Sequence, residues 1–330
     1  MNPQLHPRSS ILIVRLGAMG DVLHALPALH SLRRSFPAHS IYWLVAPKWQ
    51  PLLEGNPDLT ATIPFNRHRA RDLIQTGKRL RMLRPEYAFD FQGLIQSALA
   101  GYWSRPRAFF GFSREVVREG LASSFYTFRL TPKSSHVVDR NLELAQAAGA
   151  SVTDSLPWLP PGRPEGDLPS EPFVLANPFA GWAGKQWPLI RYQLLAELLE
   201  KQGFTLVLSV PADRAAEISG LQRVHLYHSS LYGLLDATRR ATAVVGLDSG
   251  PLHLAAALQK PGVALFGPTD PKRNGPYGET ISVIRAERVE TTYRRDNVSH
   301  PSMEAISPDR VLEALLQSIQ NRAHKVGRLL

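Results

Sequence analysis

The sequence predicts an α/β protein built of two doubly wound, parallel-sheet units. Three observations carry this. Short apolar runs alternate with helix-like stretches, the pattern of a parallel sheet covered by helices. A proline- and glycine-rich stretch, PWLPPGRPEGDLPSEP (157–172), interrupts the pattern near the middle and reads as a linker. The strand–helix pattern then restarts, and 330 residues suffice for two cores. The expected domains are 1–160 and 161–330.

The elements follow in order. ILIV opens a strand over Ile11–Leu16, and a helix is expected over Val22–Phe36. IYWLVA (Ile41–Ala46) is a second strand, and shorter elements alternate after it. The second half reads as the more regular unit. Its strands are expected at Pro172–Pro178, Phe204–Val210, Thr242–Leu247 and Gly262–Gly267. Its helices are expected over Leu189–Gln202, near Asp213–Leu221, and over Leu231–Arg240 and Pro251–Leu258. The last helix, Pro308–Gln320, begins at Ser307-Pro308, a favourable helix start. It is a candidate to pack back on the first domain. Two units joined this way imply a cleft, with ligands beyond the carboxyl ends of the strands.

Composition narrows the function. Hydrophobic residues are 44% and charged residues 20%, ordinary for a globular chain. There is no cysteine, which excludes disulfides and thiolate metal sites. No apolar run approaches the roughly 20 residues of a membrane-spanning helix. The start, MNPQLHPRSS, is polar and shows no secretory signal, so a cytoplasmic protein is expected. The net charge is +10 and uneven. Residues 1–160 hold 19 Lys+Arg against 11 Asp+Glu, giving +8; residues 161–330 hold 19 against 17, giving +2. The first half therefore suits an anionic partner or an anionic lipid surface. Nucleic acid is not expected, because no finger spacing, RNA-binding aromatic motif or basic repeat is present.

Several segments could carry chemistry, and each has a plainer reading. In GLDSGPLHLAAAL (246–258), a strand meets a helix whose free amides suit a phosphate, with Ser249 and His253 as further donors. Alternatively Asp248 is a cap and His253 a core residue. GPTDPKRNGPYG (267–278) is a rigid loop bearing Thr269, Asp270 and Lys272, or a plain turn. In NPFAGWAGKQWP (177–188), Lys185 is a phosphate ligand or a solvated lysine. RLGAMGD (15–21) lacks the G-x-G-x-x-G of a dinucleotide site, so an oxidoreductase is not supported. Its Asp21 is a helix cap or a chemical group. The basic run through Arg67, Arg69, Arg71, Lys78, Arg79, Arg81 and Arg84 is a solvated helix face or a site for phosphates and carboxylates. Tyr102-Trp103 and Phe109-Phe110, among Arg105 and Arg107, are membrane-facing or core.

Taken together and in order, these segments resemble glycosyltransferase family 9, the ADP-heptose:lipopolysaccharide heptosyltransferases. The resemblance rests on ILIVRLGAMGDVLHALPAL, DFQGLIQSA (90–98), REGLASSFY (118–126), GKQWP (184–188), GLDSGPLHLAAAL and LFGPTDP (265–271). The middle pair is most like heptosyltransferase I. The resemblance implies a GT-B fold of two Rossmann-like domains facing a cleft. The N-terminal domain would take Kdo-lipid A and the C-terminal domain ADP-heptose. It implies inversion with no protein-bound metal or other cofactor, and peripheral attachment to the cytoplasmic face of the inner membrane.

In that scheme Asp21 is the general base. A helix start stabilises its charge, and inversion needs one base opposite the leaving ADP. Lys185, Asp248, Ser249, Gly250 and His253 would bind the donor, with Asp213 near the ribose. Arg15, Arg67, Arg69, Arg118 and His136 match the basic acceptor contacts. Two departures stand out: Gln96 where a lysine is frequent, and Ala180 and Gly181 where hydroxyl residues precede the donor lysine. A related family 9 transferase, such as heptosyltransferase II, and a non-catalytic nucleotide-binding protein are the alternatives.

Overall fold

The computed structural model describes residues 10–152, 156–286, 289–292 and 298–327. Most of the polar N-terminal stretch that bears on a secretory signal, residues 1–9, lies outside them. The chain divides into two compact units, Met1–Pro160 and Pro161–Leu330.

In unit 1 the strands are β1 (Ser10–Val14), β2 (Ser40–Val45), β3 (Ala61–Pro64), β4 (Tyr87–Asp90), β5 (Ala108–Phe112) and β6 (Phe128–Leu130). They form one parallel sheet in the order β3-β2-β1-β4-β5-β6. Four helices accompany it: α1 (Met19–Ser35), α2 (Ala70–Leu83), α3 (Ile95–Trp103) and α4 (Val137–Gln146). Every residue of β1 is buried, as expected of a central strand covered on both faces. α1 turns Val22, Leu23, Leu26, Leu29 and Leu32 inward, an apolar stripe at helical spacing, and packs beside α4. Asp21 in its first turn and Arg33 and Arg34 in its last both suit the helix dipole.

Unit 2 repeats the plan. Its strands are β7 (Phe173–Ala176), β8 (Thr205–Ser209), β9 (Val224–Tyr227), β10 (Ala243–Leu247), β11 (Gly262–Phe266) and β12 (Ile281–Arg285). The order β12-β11-β10-β7-β8-β9 is that of unit 1 read from the other edge. The helices are α5 (Leu189–Glu200), α6 (Leu231–Arg240), α7 (Gly250–Ala257), α8 (Pro271–Asn274), α9 (Pro301–Glu304) and α10 (Pro308–Gly327).

Three expectations need correction. The first half is as regularly wound as the second; it looked irregular because β3, β4 and β6 are only three or four residues long. The helix expected near Asp213 is a short 3-10 turn, Ala212–Glu217. The terminal helix α10 packs on α5, β10, β11 and β12 of its own unit, where Val311 and Leu315 are fully buried. The expected linker stretch is hydrogen-bonded at both ends: Trp158 O accepts from Asn56 of unit 1, while the Glu165 carboxylate accepts from Ser230 of unit 2 at 2.7 Å. No helix among the described residues is long and apolar enough to cross a membrane.

Candidate functional site

At the carboxyl end of β1 the chain turns through Arg15-Leu16-Gly17-Ala18 into α1. Gly17 has φ +153°, and a Cβ there would come within 2.5 Å of the Trp49 indole nitrogen. Only glycine fits both constraints. α1 begins at Met19, earlier than the sequence suggests, so Gly20 lies inside the helix and Asp21 is its third residue. Asp21 Oδ2 accepts from the Ala18 amide at 3.0 Å, closing the helix start from within. Its Oδ1 is 2.7 Å from Arg15 Nη2. The Asp21 side chain is 43% exposed, so one face of the carboxylate meets solvent.

The loop after β4 braces this turn. The buried Arg15 guanidinium donates to Phe91 O, and the Leu16 amide donates to Gln92 Oε1 at 2.7 Å. Asp90 anchors that loop. It is fully buried, accepts from the amides of Gln92 and Gly93, and lies 2.8 Å from the hydroxyls of Ser97 and Tyr126. Burial pushes the Asp90 carboxyl above its ordinary value despite these bonds, and burial beside Asp90 pushes the Tyr126 phenol up.

The other basic residues of this half are placed unevenly. His136 caps α4, accepting from Val138 N at 3.2 Å, and its ring meets His24 edge-on at 5.9 Å. His24 is three residues beyond Asp21 on α1, so His136 belongs to the same neighbourhood. Arg67 and Arg69 are exposed beyond β3, two strands from β1 in the sheet order; Arg118 is exposed beyond β5, two strands away on the other side.

In unit 2 the cluster forms beyond β7, β10 and β11. Lys185 Nζ lies 2.5 Å from Asp248 Oδ2, and Thr269 Oγ1 donates to the same oxygen at 2.8 Å. His253 Nε2 is 4.0 Å from Asp248 Oδ1. All four residues are largely withdrawn from solvent. Asp248 is therefore not the cap of α7; Ser249 occupies that position without making a side-chain capping bond. The buried Ser249 Oγ has no hydrogen-bond partner among the described residues. The amides of Gly250 and Leu252, that hydroxyl and the Lys185 ammonium gather positive potential and donors suited to a phosphate. Asp213 stands apart, exposed beyond β8, and its neighbour Arg214 stacks on Phe179 with 3.5 Å from guanidinium carbon to ring centre. In the 267–278 loop, Asp270 caps α8 through Lys272 N, and Lys272 is exposed. Thr269, Gln92, Asp90 and His24 join the sites although the sequence did not single out those roles. Their motifs were visible, but their partners lie on other strands.

Two doubly wound parallel-sheet units, each carrying a carboxylate–cation pair at its carboxyl edge, have the architecture of the GT-B class of glycosyltransferases. The model of glycosyltransferase family 9 (heptosyltransferase) matches residues 73–302, and the chain belongs to that family. It is 31% identical to lipopolysaccharide heptosyltransferase 1 of Pseudomonas aeruginosa, over 82% of each chain. The solved E. coli heptosyltransferase WaaC with ADP superposes with a TM-score of 0.76 at 25% identity, covering 94% of this chain and 99% of that one. E. coli ADP-heptose lps heptosyltransferase II gives a TM-score of 0.78 at 25% identity, covering 95% and 99%.

Proposed function

We propose that this enzyme transfers a heptose from ADP-heptose to the Kdo of Kdo-lipid A, with inversion, in lipopolysaccharide inner-core synthesis at the cytoplasmic face of the inner membrane. The observation that carries the reading is Asp21: a half-exposed carboxylate, fixed on two sides, at the carboxyl edge of a doubly wound sheet. A sugar hydroxyl is a poor nucleophile at neutral pH. Asp21 takes its proton as the oxygen bonds to the anomeric carbon and the bond from that carbon to the diphosphate breaks. The electron pair leaves with ADP. The charge that develops there is met by Lys185, the amides at the start of α7, and Ser249.

Arg15, expected among the acceptor contacts, is buried and committed to Phe91 O and Asp21, and in this reading serves the step as a positioning residue instead. Its guanidinium bridges Phe91 O and Asp21 and so holds the base in place. Arg67, Arg69, Arg118 and His136 offer charge to the carboxylates and phosphates of the acceptor, and Asp213 is offered to the ribose. The transfer itself draws on side chains and amides of the protein, with no metal or other cofactor assigned to it. The identity to lipopolysaccharide heptosyltransferase 1 supports the heptosyltransferase I resemblance, from which Kdo follows as the acceptor sugar of this reading. The comparable likeness to heptosyltransferase II favours a second reading, transfer to another core sugar.

The test is ADP release by purified protein supplied with ADP-heptose and Kdo2-lipid A, comparing wild type with Asp21→Asn. Acceptor-dependent release that disappears in the variant is expected. Donor binding without transfer would overturn the acceptor. Absence of ADP-heptose binding would overturn the donor.

A further inference from the structure

The outward face of α2 is unlike an ordinary solvated helix face. Arg71, Ile74, Gln75, Lys78, Arg81 and Met82 recur at helical spacing and are all exposed. Ile74 is 60% and Met82 69% exposed, on a face whose charges are otherwise cations. The one acid of the helix, Asp72, is engaged by Asn66 at 3.0 Å. α3 packs alongside, and its last two residues, Tyr102 and Trp103, are 55% and 51% exposed. The Trp103 ring lies over Gly77 of α2, at ordinary contact distance from where a Cβ would stand. By contrast Phe109 and Phe110 are core residues, which separates the two aromatic pairs that the sequence left ambiguous. Lys78, Arg81, Tyr102, Trp103 and Arg105 rim an open hollow of about 620 Å³ floored by Phe109 and Phe125.

Cations alone would suit any polyanion, and exposed apolar groups alone would suit a protein partner. Their mixture, with tyrosine and tryptophan among the cations, matches a bilayer interface: ring edges and aliphatic tips enter the headgroup layer while Lys and Arg reach lipid phosphates. We propose that the α2–α3 face docks on an anionic phospholipid bilayer, with Trp103, Tyr102 and Met82 in the headgroup layer and Lys78, Arg81 and Arg105 on the phosphates. The proposal rests on the acceptor reading above, because a lipid-borne acceptor has to be met at a bilayer. α2 also starts directly after Arg69, its N-cap residue, so the docking face adjoins the loop that carries Arg67 and Arg69.

The experiment is co-sedimentation of the full chain with phosphatidylcholine vesicles, with and without phosphatidylglycerol, over a range of salt. Two variant pairs are compared with wild type: Lys78→Gln with Arg81→Gln, and Met82→Ser with Trp103→Ser. Wild type is expected to bind the phosphatidylglycerol vesicles and to release them as salt rises. The charge pair should weaken binding by roughly fivefold per cation, and the apolar pair by roughly tenfold even at low salt. All should keep their rate on a Kdo acceptor lacking acyl chains. Equal binding to both vesicle types, or variants that bind like wild type, would overturn the docking surface even with transfer intact. So would a dimer that these substitutions dissolve without any vesicle binding. Vesicle binding as expected, with no transfer by wild type to a Kdo acceptor, would support the surface and overturn the acceptor reading.

Discussion

The two units share one strand order and place a carboxylate–cation pair at the same sheet edge, yet the pairs differ in exposure. Asp21 in unit 1 is held by Arg15 and remains 43% exposed, whereas the Asp248 side chain in unit 2, held by Lys185 and Thr269, is 8% exposed. An exposed carboxylate can accept a proton from an arriving hydroxyl. A buried one, bonded through one oxygen to an ammonium and a hydroxyl, is shielded from an arriving hydroxyl and serves to aim its partners. Under the proposed function, exposure rather than residue type separates the two carboxylates.

The comparison can be broken most directly at Asp21. Asp21→Asn is expected to lower kcat by about 10²–10⁴-fold while ADP affinity, measured by calorimetry, stays at the wild-type value. A rate that survives would reduce Asp21 to a helix-start residue and erase the contrast. Next in size is Lys185→Ala. It should cost about 10²–10³-fold in kcat. It should also cost about 3 kcal/mol of stability in urea unfolding, because Asp248 is left buried without its cation. An Asp21 variant that lost stability comparably would make the two pairs equivalent.

Each unit also buries an ionisable group away from its pair, and these sharpen the comparison. Asp90→Asn turns an amide NH₂ towards donors that Asp90 now accepts, and should cost about 2 kcal/mol. Because burial raises the Asp90 value, the folded state holds its proton to higher pH than the unfolded chain. This group's contribution to stability therefore falls as pH rises from the unfolded carboxyl value towards the raised one, and that slope should vanish in the variant. Lys260 shows the opposite sign. Burial, together with Arg322 and Arg239, brings it down to about 8. Stability should rise as pH climbs from about 8 towards the unfolded lysine value of about 10.4. Lys260→Met should then raise stability at neutral pH only slightly, by less than about 1 kcal/mol after solvent screening, read as a small rise in Tm.

Much of the fold was legible. The helix expected over Leu231–Arg240 is α6 to the residue, and the strand starting at Gly262 is β11. The start of α1 was not legible, because the Ala18 amide is satisfied by a side chain three residues inside the helix. The regularity of unit 1 was hidden because β6 has three residues and no fully buried position. In the candidate sites, Asp21, Lys185 and Asp248 each read equally well locally as a cap or a solvated side chain, and only the set of motifs taken together set them apart. The true partners of Asp248, Lys185 and Thr269, lie 63 and 21 positions away.

By itself the sequence determined two alternating halves, the proline-rich joint, and the motifs that mark each sheet edge. These are local properties, set by side-chain periodicity and backbone sterics. Only the tertiary structure decided that Arg15 meets Asp21 and Phe91, that Lys185 meets Asp248, and that α2 and α3 present one basic, apolar face. Strand order brings loops distant in sequence to one edge, and burial then sets which charges must find each other and which stay open to solvent.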